Sequence, residues 1–304
     1  MKTSQGLIYG IERFAVHDGP GIRTLVFMKG CPLRCVWCSS PQTQNPFPEV
    51  LYDAAKCRSC GTCACACPAQ AMSLSEEGGL KIEKTQCTGC GACVDACPNQ
   101  ALELAGKSVS PEALLNEIHK DSSFYRRSGG GVTVGGGEPT MQHEFATEFL
   151  RKVQQLYVHT AIETCGYVDW ERLEMLLEYV DLVYFDLKHM NAFAHQELTR
   201  VSNKLILGNA RLVSSLNPVV IRIPIVPGCN DSDENILATG RFAAELGRNL
   251  QWVELLPYHK LGAQTYRRLG REYELENLEP PDERTMIRLK QIVESCGIQA
   301  QVGS

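Results

Sequence analysis

The chain has 304 residues, of which 44% are hydrophobic and 21% are charged, and its net charge at pH 7 is -5. This length and apolar content allow a full core in one large domain plus a small one, and the charge gives no basic surface for nucleic acid. The start, Met1 to Gly10, has neither the n-region nor the h-region of a signal peptide, and no run of ~18 apolar residues follows. We therefore expect a cytoplasmic protein with no membrane or nucleic-acid partner.

The 15 cysteines cluster at metal-ligand spacings, which predicts reduced thiolates rather than disulfides in a chain of this length. Cys31, Cys35 and Cys38 follow an apolar run that predicts the first strand, Thr24 to Met28. A four-iron cluster normally takes four thiolates, so three cysteines leave one iron open to bind a substrate. A zinc site completed by a distant His or Cys is the alternative. The spacing resembles the C-x3-C-x2-C loop of radical S-adenosylmethionine (SAM) enzymes.

A second pattern occurs twice, as C-x2-C-x2-C-x3-C-P from Cys57 to Pro68 and from Cys87 to Pro98. This is the run of bacterial two-cluster ferredoxins, in which the fourth cysteine of each run binds the other cluster. The two predicted ligand sets are therefore Cys57, Cys60, Cys63 and Cys97, and Cys87, Cys90, Cys93 and Cys67. Two zinc ribbons are the competing interpretation. Four cysteines fall outside these spacings: we expect Cys65 to be a bystander thiol, and Cys165, Cys229 and Cys296 to pack as small apolar residues.

Outside residues 49 to 106, apolar strand-like runs alternate with helical periods, which indicates βα units around a parallel sheet. The predicted strands are 24–28, 131–134, 159–162, 182–185, 219–225 and 251–256. The predicted helices are 111–120, 144–155, 170–179, 204–215, 234–246 and 281–294. Polar residues follow the successive strands, and the active site of a βα barrel lies at that edge.

With these residues in view, the chain resembles the glycyl radical enzyme activating enzymes of the radical SAM superfamily, in the subgroup with a two-cluster ferredoxin insertion. The residues that carry the resemblance are His17 to Arg23, the loop ending at Trp37 and Cys38, Gly136 to Pro139, Asp186 to Lys188, and Leu255 to His259. The resemblance implies an α/β fold. It would be a partial (β/α)6 TIM-like barrel over residues 1–48 and 107–304, with a small α+β dicluster ferredoxin-like domain inserted at 49–106.

The resemblance also implies which residues hold S-adenosylmethionine on the open iron. Gly135 to Gly137 would present backbone groups to its amino end, within a segment that continues to Glu138, and Lys188 and Arg222 would suit its carboxylate. Further matched positions are Trp37, Ser39 and His259 at the nucleoside, Leu187 beside Lys188, and Glu163, Thr164 and Asp186 at a monovalent cation. Three 4Fe-4S clusters are implied in total.

The implied reaction is one-electron cleavage of S-adenosylmethionine to methionine and a 5'-deoxyadenosyl radical, which removes a hydrogen from one glycine of a partner glycyl radical enzyme. Asp18 would contact the partner's glycine loop. The two insert clusters would carry electrons from flavodoxin or ferredoxin, or serve a structural role, in a protein expected to be a monomer. The alternatives are a radical enzyme that modifies a small molecule or peptide, and a ferredoxin-type electron carrier. The sequence does not identify the partner enzyme.

Overall fold

The computed structural model describes residues 5–75 and 78–303. Its strands are β1 (Gly6–Ala15), β2 (Arg23–Met28), β3 (Glu49–Tyr52), β4 (Met72–Leu74), β5 (Leu80–Ile82), β6 (Leu102–Ala105), β7 (Lys107–Val109), β8 (Gly131–Gly135), β9 (His159–Thr164), β10 (Leu182–Asp186), β11 (Val219–Ile225), β12 (Leu250–Pro257) and β13 (Ala300–Val302).

Its α-helices are α1 (Thr62–Ala66), α2 (Ala92–Asp95), α3 (Pro111–His119), α4 (Ser122–Ser128), α5 (His143–Gln154), α6 (Trp170–Leu177), α7 (Ala192–Thr199), α8 (Lys204–Leu216), α9 (Asp233–Ala244), α10 (Ala263–Arg268) and α11 (Glu283–Glu294). Short 3-10 turns span Pro41–Thr43, Pro139–Gln142 and Gly247–Asn249. Within the described ranges, no helix combines the length and apolarity needed to cross a membrane.

The main sheet has nine strands in the order β13-β12-β11-β10-β9-β8-β2-β1-β7. Strands β2 and β8 to β13 pair in parallel, whereas β1 pairs antiparallel with both β2 and β7. The end strands β7 and β13 do not pair with each other among the described residues. The predicted partial barrel of six βα units, open at one side, is therefore confirmed, with β1, β7 and β13 added at its edges.

Contacts of the loop before β2 show that this sheet curls. The His17 carbonyl accepts a hydrogen bond from Arg222 of β11, and the neighbouring Asp18 carbonyl accepts one from Thr133 of β8. β8 and β11 are three strands apart, about 14 Å in a flat sheet at 4.7–4.9 Å per strand. Two consecutive residues reach both strands because the strands curve around them.

Packing on both faces explains why these strands are almost wholly apolar. The outer face carries the main core, in which Val183, Ile221 and Val253 pack against helix residues such as Phe149 and Leu289. The inner face has its own small cluster of Ala161, Leu182, Tyr184 and Val220. Parallel strands that are buried on both faces have nearly continuous hydrophobic sequences, and this is why they could be predicted from the sequence.

The segment Glu49–Ala105 has two small sheets of its own, β3–β6 and β4–β5. The first and last strands of the segment, β3 and β6, form an antiparallel pair in which Glu49 faces Ala105 and Tyr52 faces Leu102. Its two halves repeat the same backbone: the left-handed glycines Gly61 and Gly91, with φ of 77° and 82°, precede α1 and α2. The sequence repeat is thus also a structural repeat. Its core is built from Val50, Cys63, Met72, Cys93 and Leu102.

Outside this lobe, the six predicted helices are confirmed with shifts of at most a few residues at their ends. The helices α4, α7 and α10 and the strands β1, β7 and β13 were not predicted. Short elements such as β7 and β13 carry too little periodicity to be recognised. β1 contains two glycines and the charged pair Glu12-Arg13, and much of it is exposed, so it lacks a strand's apolar signal.

Candidate functional site

The loop that follows β2 carries the first cysteine group. Its backbone is fixed at both ends: the Cys31 amide donates to the Gln44 carbonyl at 2.9 Å, and the Val36 amide donates to Leu198 at 3.1 Å. The three thiols of Cys31, Cys35 and Cys38 interact electrostatically with one another and with Lys188. The structure therefore brings the three predicted ligands and one cation into a single pocket.

Burial sets the protonation of these thiols. It raises the pKa of Cys35 to about 12 and raises the pKa of Cys38 as well. The pKa of Cys31 is lowered, because a hydrogen bond with the Cys165 thiol outweighs burial. Holding three thiolates here needs positive charge beyond Lys188, which a bound iron-sulfur cluster supplies. The donor set thus fits such a cluster.

Lys188 lies just beyond β10, where its Nζ is 2.9 Å from Asp186 Oδ2. Burial opposes the charge of this ammonium, but Asp186 and the Cys35 thiol outweigh burial and raise the pKa of Lys188. The Lys188 carbonyl accepts from Asn230, and Leu187 is buried with its amide bonded to the Arg222 carbonyl. Lys188 is therefore a fixed, permanently charged group beside the three thiols.

Arg222, on β11, is the centre of a buried charge network. Its guanidinium donates to Glu163, to Glu254 Oε2 at 2.7 Å and to the His17 carbonyl at 2.7 Å, and it lies 3.9 Å from the centroid of the Tyr184 ring. All three of its nitrogens are therefore engaged within the protein. Three of its five N–H donors are used in this way, so Arg222 serves first to hold Glu163, Glu254 and the His17 loop together.

Glu163 is the carboxyl of this network whose ionised form is least favoured. Burial raises the pKa of this carboxyl to about 7, against the opposing effect of Arg222, and the nearby Asp18 and Asp186 carboxylates raise it further. Thr164, the next residue, donates its hydroxyl to Glu138 at 2.9 Å. Arg222 and Glu138 thus hold in place Glu163 and Thr164, two of the residues matched to a monovalent cation.

Gly135 to Gly137, which we call the glycine strand, comprises the last residue of β8 and the two residues that follow it, and lies against other backbone and side-chain atoms. A Cβ on Gly137 would lie 2.6 Å from the Gly30 carbonyl oxygen, and one on Gly135 would lie 2.3 Å from Glu163 Oε2. Gly136 has φ of 82°, which disfavours other residues. The strand can therefore pass close to the Cys31 loop only as glycine.

Glu138, three residues beyond the end of β8, is 1% exposed. It accepts hydrogen bonds from the Thr140 amide and hydroxyl, from Thr164 Oγ1 and from the Cys165 amide at 2.8 Å. These bonds tie the end of β8 to the end of β9. The geometry gives Glu138 a positioning role in the site.

The residues matched to the nucleoside lie on two adjoining loops. Trp37 is buried in a cluster with Val226 and Tyr258, whereas Ser39 and His259 are exposed. A Cβ on Gly262 would lie 2.7 Å from the Cys38 carbonyl oxygen, so the loop after β12 packs directly on the Cys38 loop. Trp37 therefore forms a wall of the site, and Ser39 and His259 lie at its rim.

The insert brings together the two cysteine sets that cross-ligation predicts. Cys57, Cys60, Cys63 and Cys97 line one cavity. The thiol of Cys93 interacts electrostatically with those of Cys67, Cys87 and Cys90. The Cys67 and Cys97 sulfurs each accept a backbone amide at 3.3 Å, from Ala71 and Ala101, as cluster ligands commonly do.

Within the described part of the chain, no three His, Cys, Asp or Glu side chains close around a single metal ion. A four-iron cube is larger than one ion and holds its thiolates farther apart. A cavity lined by four cysteines fits that larger group.

Comparison with known proteins decides the family. The family model "Radical SAM superfamily" matches residues 84–239, and "4Fe-4S dicluster domain" matches residues 56–102. An isethionate sulfite-lyase activating enzyme of Oleidesulfovibrio alaskensis is 42% identical over 96% of this chain and 96% of its own. The chain belongs to the glycyl radical enzyme activating enzymes of the radical SAM superfamily.

Other activating enzymes are equally similar. The choline trimethylamine-lyase activating enzyme of the same organism is 43% identical, with 91% of each chain covered. A solved domain of the pyruvate-formate lyase-activating enzyme of Bacteroides vulgatus is 32% identical, with a TM-score of 0.50, and covers 58% of this chain and 99% of that one. This activating enzyme is therefore an oxidoreductase with iron-sulfur and S-adenosylmethionine chemistry and a glycyl radical enzyme as its partner.

Three site residues were missed by sequence analysis. Glu254 completes the network around Arg222, and the Gln44 side chain hydrogen-bonds to the Cys38 thiol. Cys165 is buried as expected, yet its free thiol also lies close enough to the Cys31 thiol to lower the pKa of Cys31. A signal existed for Glu254 alone, as an acidic residue inside the apolar run of β12.

Proposed function

We propose that this activating enzyme binds its S-adenosylmethionine at an open four-iron cluster held by Cys31, Cys35 and Cys38, and that residues 49–106 form a separate domain for two closed clusters. The observation that carries this assignment is the gathering of three half-buried cysteines with Lys188 in one pocket beside the glycine strand. The pocket supplies three thiolates and a cation, whereas each insert set supplies four thiolates.

When bound and reduced, the open cluster would supply the electron that cleaves S-adenosylmethionine to methionine and a 5'-deoxyadenosyl radical. Lys188, whose charge is secured by Asp186, would attract the carboxylate of the methionine part. The backbone of Gly135 to Gly137 would lie against its amino end, and Ser39 and His259 would border the nucleoside at the rim. Arg222 would act chiefly by holding Glu163 and Glu254 in place.

The partner's glycine would meet this pocket beside Asp18. The loop that carries Asp18 reaches into the curled sheet, where its carbonyl is held by Thr133 and its carboxylate lies near Glu163. A glycine on a flexible loop of the partner would enter between the end strands β7 and β13, which do not pair with each other in the part of the chain that the structure describes. We therefore place the partner's loop at the open side, against residues 16–22.

The class of partner is a glycyl radical enzyme, and several candidates have equal support. Relatives at 38–43% identity are named for isethionate sulfite-lyase, choline trimethylamine-lyase and trans-4-hydroxy-L-proline dehydratase. We further propose a monomer that receives electrons from flavodoxin or ferredoxin. The cytoplasm suits it because its thiols must stay reduced.

The test combines product analysis with a matched control. Changing Cys31, Cys35 and Cys38 to Ala should lower iron from about twelve to about eight atoms per chain. It should also abolish both 5'-deoxyadenosine formation and the glycyl radical on a panel of these three partner enzymes. Cys229→Ala, at a half-buried thiol outside all three sets, should retain both activities. Retained cleavage in the triple variant would overturn the assignment, and cleavage by the parent protein without a radical on any protein partner would favour a small-molecule or peptide substrate.

A further inference from the structure

The insert meets the barrel through one end of its β3–β6 ladder and along one side of it, where Glu103 pairs with Arg268 at 2.8 Å. The β3–β6 ladder runs from the Glu49 and Ala105 pair to the Tyr52 and Leu102 pair, about 10 Å at 3.4 Å per residue. At the first end, Glu49 forms ion pairs with the buried Lys29 and with Arg271. We call the Glu49 end of the insert its inner end and the Tyr52 end its outer end.

The two cysteine sets lie at opposite ends. The Cys57 thiol hydrogen-bonds to Tyr52, so the set of Cys57, Cys60, Cys63 and Cys97 is at the outer end. Lys84 interacts electrostatically with Cys87 and donates to the Val50 carbonyl at 3.2 Å. A Cβ on Gly89 would lie 2.6 Å from the Pro48 carbonyl oxygen. The set of Cys67, Cys87, Cys90 and Cys93 is therefore at the inner end, against the barrel.

Arg271 connects the inner end to the loop of the open cluster. Besides Glu49, its guanidinium donates to the Pro41 carbonyl at 3.0 Å and to Gln44 Oε1 at 3.3 Å. The Gln44 side chain hydrogen-bonds to the Cys38 thiol, and its carbonyl accepts from the Cys31 amide. A short chain of direct contacts thus runs from Glu49 of the insert to the pocket thiols.

The outer end carries exposed positive charge. Lys56 and Arg58 are exposed beside Cys57; Lys56 has a loose ion pair with Asp53 at 3.9 Å, and Arg58 lines the same cavity as the outer cysteines. Cys60 is also exposed. In a chain with a net charge of -5, this pair suits an acidic protein surface and would steer its encounter.

These placements order the two cysteine sets along a line from the outer end of the insert to the barrel. We propose that an acidic one-electron carrier protein docks at the outer end over Lys56, Arg58 and Cys60, and that electrons pass inward along this line. In the same proposal, the Glu49–Arg271 pair positions the insert so that the inner set faces the Cys38 loop. Each turnover oxidises the carrier by one electron, and that electron is consumed in the cleavage of one S-adenosylmethionine. The inference rests on the proposed function and adds the order of the two sets, the docking face and the positioning residue.

The order in which the cysteine sets pass the electron is tested on reconstituted full-length variants of known iron content. Each variant is mixed with reduced flavodoxin and followed by freeze-quench electron paramagnetic resonance. In Cys90→Ala, the outer set should become reduced while the Cys31 set stays oxidised. In Cys60→Ala, the inner set and the Cys31 set should both stay oxidised. The opposite pattern would overturn the order, and reduction of the Cys31 set at the parental rate in both variants would overturn the path.

The positioning role is tested with all clusters present. Arg271→Gln should slow flavodoxin-driven reduction of the Cys31 set at least tenfold, while dithionite-driven S-adenosylmethionine cleavage and reduction of the outer set keep their parental rates. Arg267→Gln, which removes the exposed pair with Glu276 in the same region, should change none of these. Parental rates throughout in Arg271→Gln would overturn the role of Arg271.

The docking face is tested by charge reversal. Lys56→Glu together with Arg58→Glu should raise the flavodoxin concentration for half-maximal reduction and weaken its dependence on salt. Arg248→Glu, on an exposed turn of the barrel, should not. An unchanged flavodoxin dependence in the double variant would overturn the docking face. Failure of dithionite-driven cleavage in the parent protein would instead count against the proposed function itself.

Discussion

Glu138 illustrates how one buried side chain organises the site. Its carboxylate accepts from Thr140, Thr164 and the Cys165 amide, and these partners are themselves buried. Glu138→Ala leaves buried donors without a partner, so we expect it to destabilise the protein by at least about 2 kcal/mol. Anaerobic chemical denaturation measures this, with the exposed Glu144→Ala as the control. An equal loss in both variants would contradict the positioning role.

Glu163 predicts a pH dependence of stability. Its folded-state pKa of about 7 lies above the ordinary value of 4.5, mainly because of burial. Between these values the unfolded chain has released the proton while the folded protein still holds it, so this carboxyl lowers stability as pH rises from about 5 to 7.

In Glu163→Gln this contribution is absent. The melting temperature of the variant, relative to the parent protein, should therefore increase over that interval. Anaerobic thermal melts at pH 5, 6, 7 and 8 measure it. A difference that stays constant or falls with pH would contradict the raised pKa.

At this scale, the sequence predicted residues whose chemistry is encoded in local spacing. Cys31, Cys35 and Cys38 form one motif, and Asp186 and Lys188 directly follow an apolar run. Gln44 and Cys165 could not be predicted in the same way. Their partners, Cys38 and Cys31, become neighbours only when the chain folds, and an isolated Gln or Cys carries no spacing signal.

At the scale of elements, the space around a glycine predicts whether an alanine is tolerated there. A Cβ at Gly137 would lie 2.6 Å from one carbonyl oxygen and 2.8 Å from another, whereas a Cβ at Gly208 in α8 meets nothing within 4 Å. Gly137→Ala should push the strand away from the Cys31 loop and reduce S-adenosylmethionine cleavage at least tenfold. Gly208→Ala should leave cleavage unchanged and stabilise the helix by about 1 kcal/mol.

Cleavage assays and melting curves on both variants check this prediction. Parental cleavage by Gly137→Ala would show that the strand has room to move, contrary to the close approach that the structure describes.

The elements that the sequence predicted are those with strong periodicity. β11 is buried along almost its whole length and reads as one apolar run, and α5 has a clear apolar stripe of Phe145, Phe149 and Val153. β1 was missed because it lies near the sheet edge and exposes Glu12 and Arg13. Its place is set by pairing with β2, which is a property of the folded sheet.

At the scale of the whole molecule, a change at Asp18 should distinguish cleavage of S-adenosylmethionine from radical transfer to the partner. It lies on the loop inside the curled sheet, and we place the partner's glycine there. Asp18→Ala should slow glycyl radical formation on the partner at least tenfold and leave uncoupled S-adenosylmethionine cleavage near the parental rate. Quantifying the glycyl radical and 5'-deoxyadenosine in one reaction measures both. Parallel loss of both would contradict a role specific to the partner.

The presence of both a radical SAM domain and a dicluster domain could be predicted from the cysteine patterns, because each cluster type has its own spacing. How the insert sits on the barrel could not. It depends on ion pairs such as Glu49 with Arg271, which are 222 residues apart in sequence and have no common motif.

The most direct test of the central claim is the electron paramagnetic resonance spectrum of anaerobically reconstituted, dithionite-reduced protein with and without S-adenosylmethionine. We predict that addition changes the spectrum of the parent protein and not that of the Cys31, Cys35 and Cys38 triple Ala variant. That result would place S-adenosylmethionine on the open cluster of this loop. An unchanged parent spectrum, or the same change in the triple variant, would contradict the account.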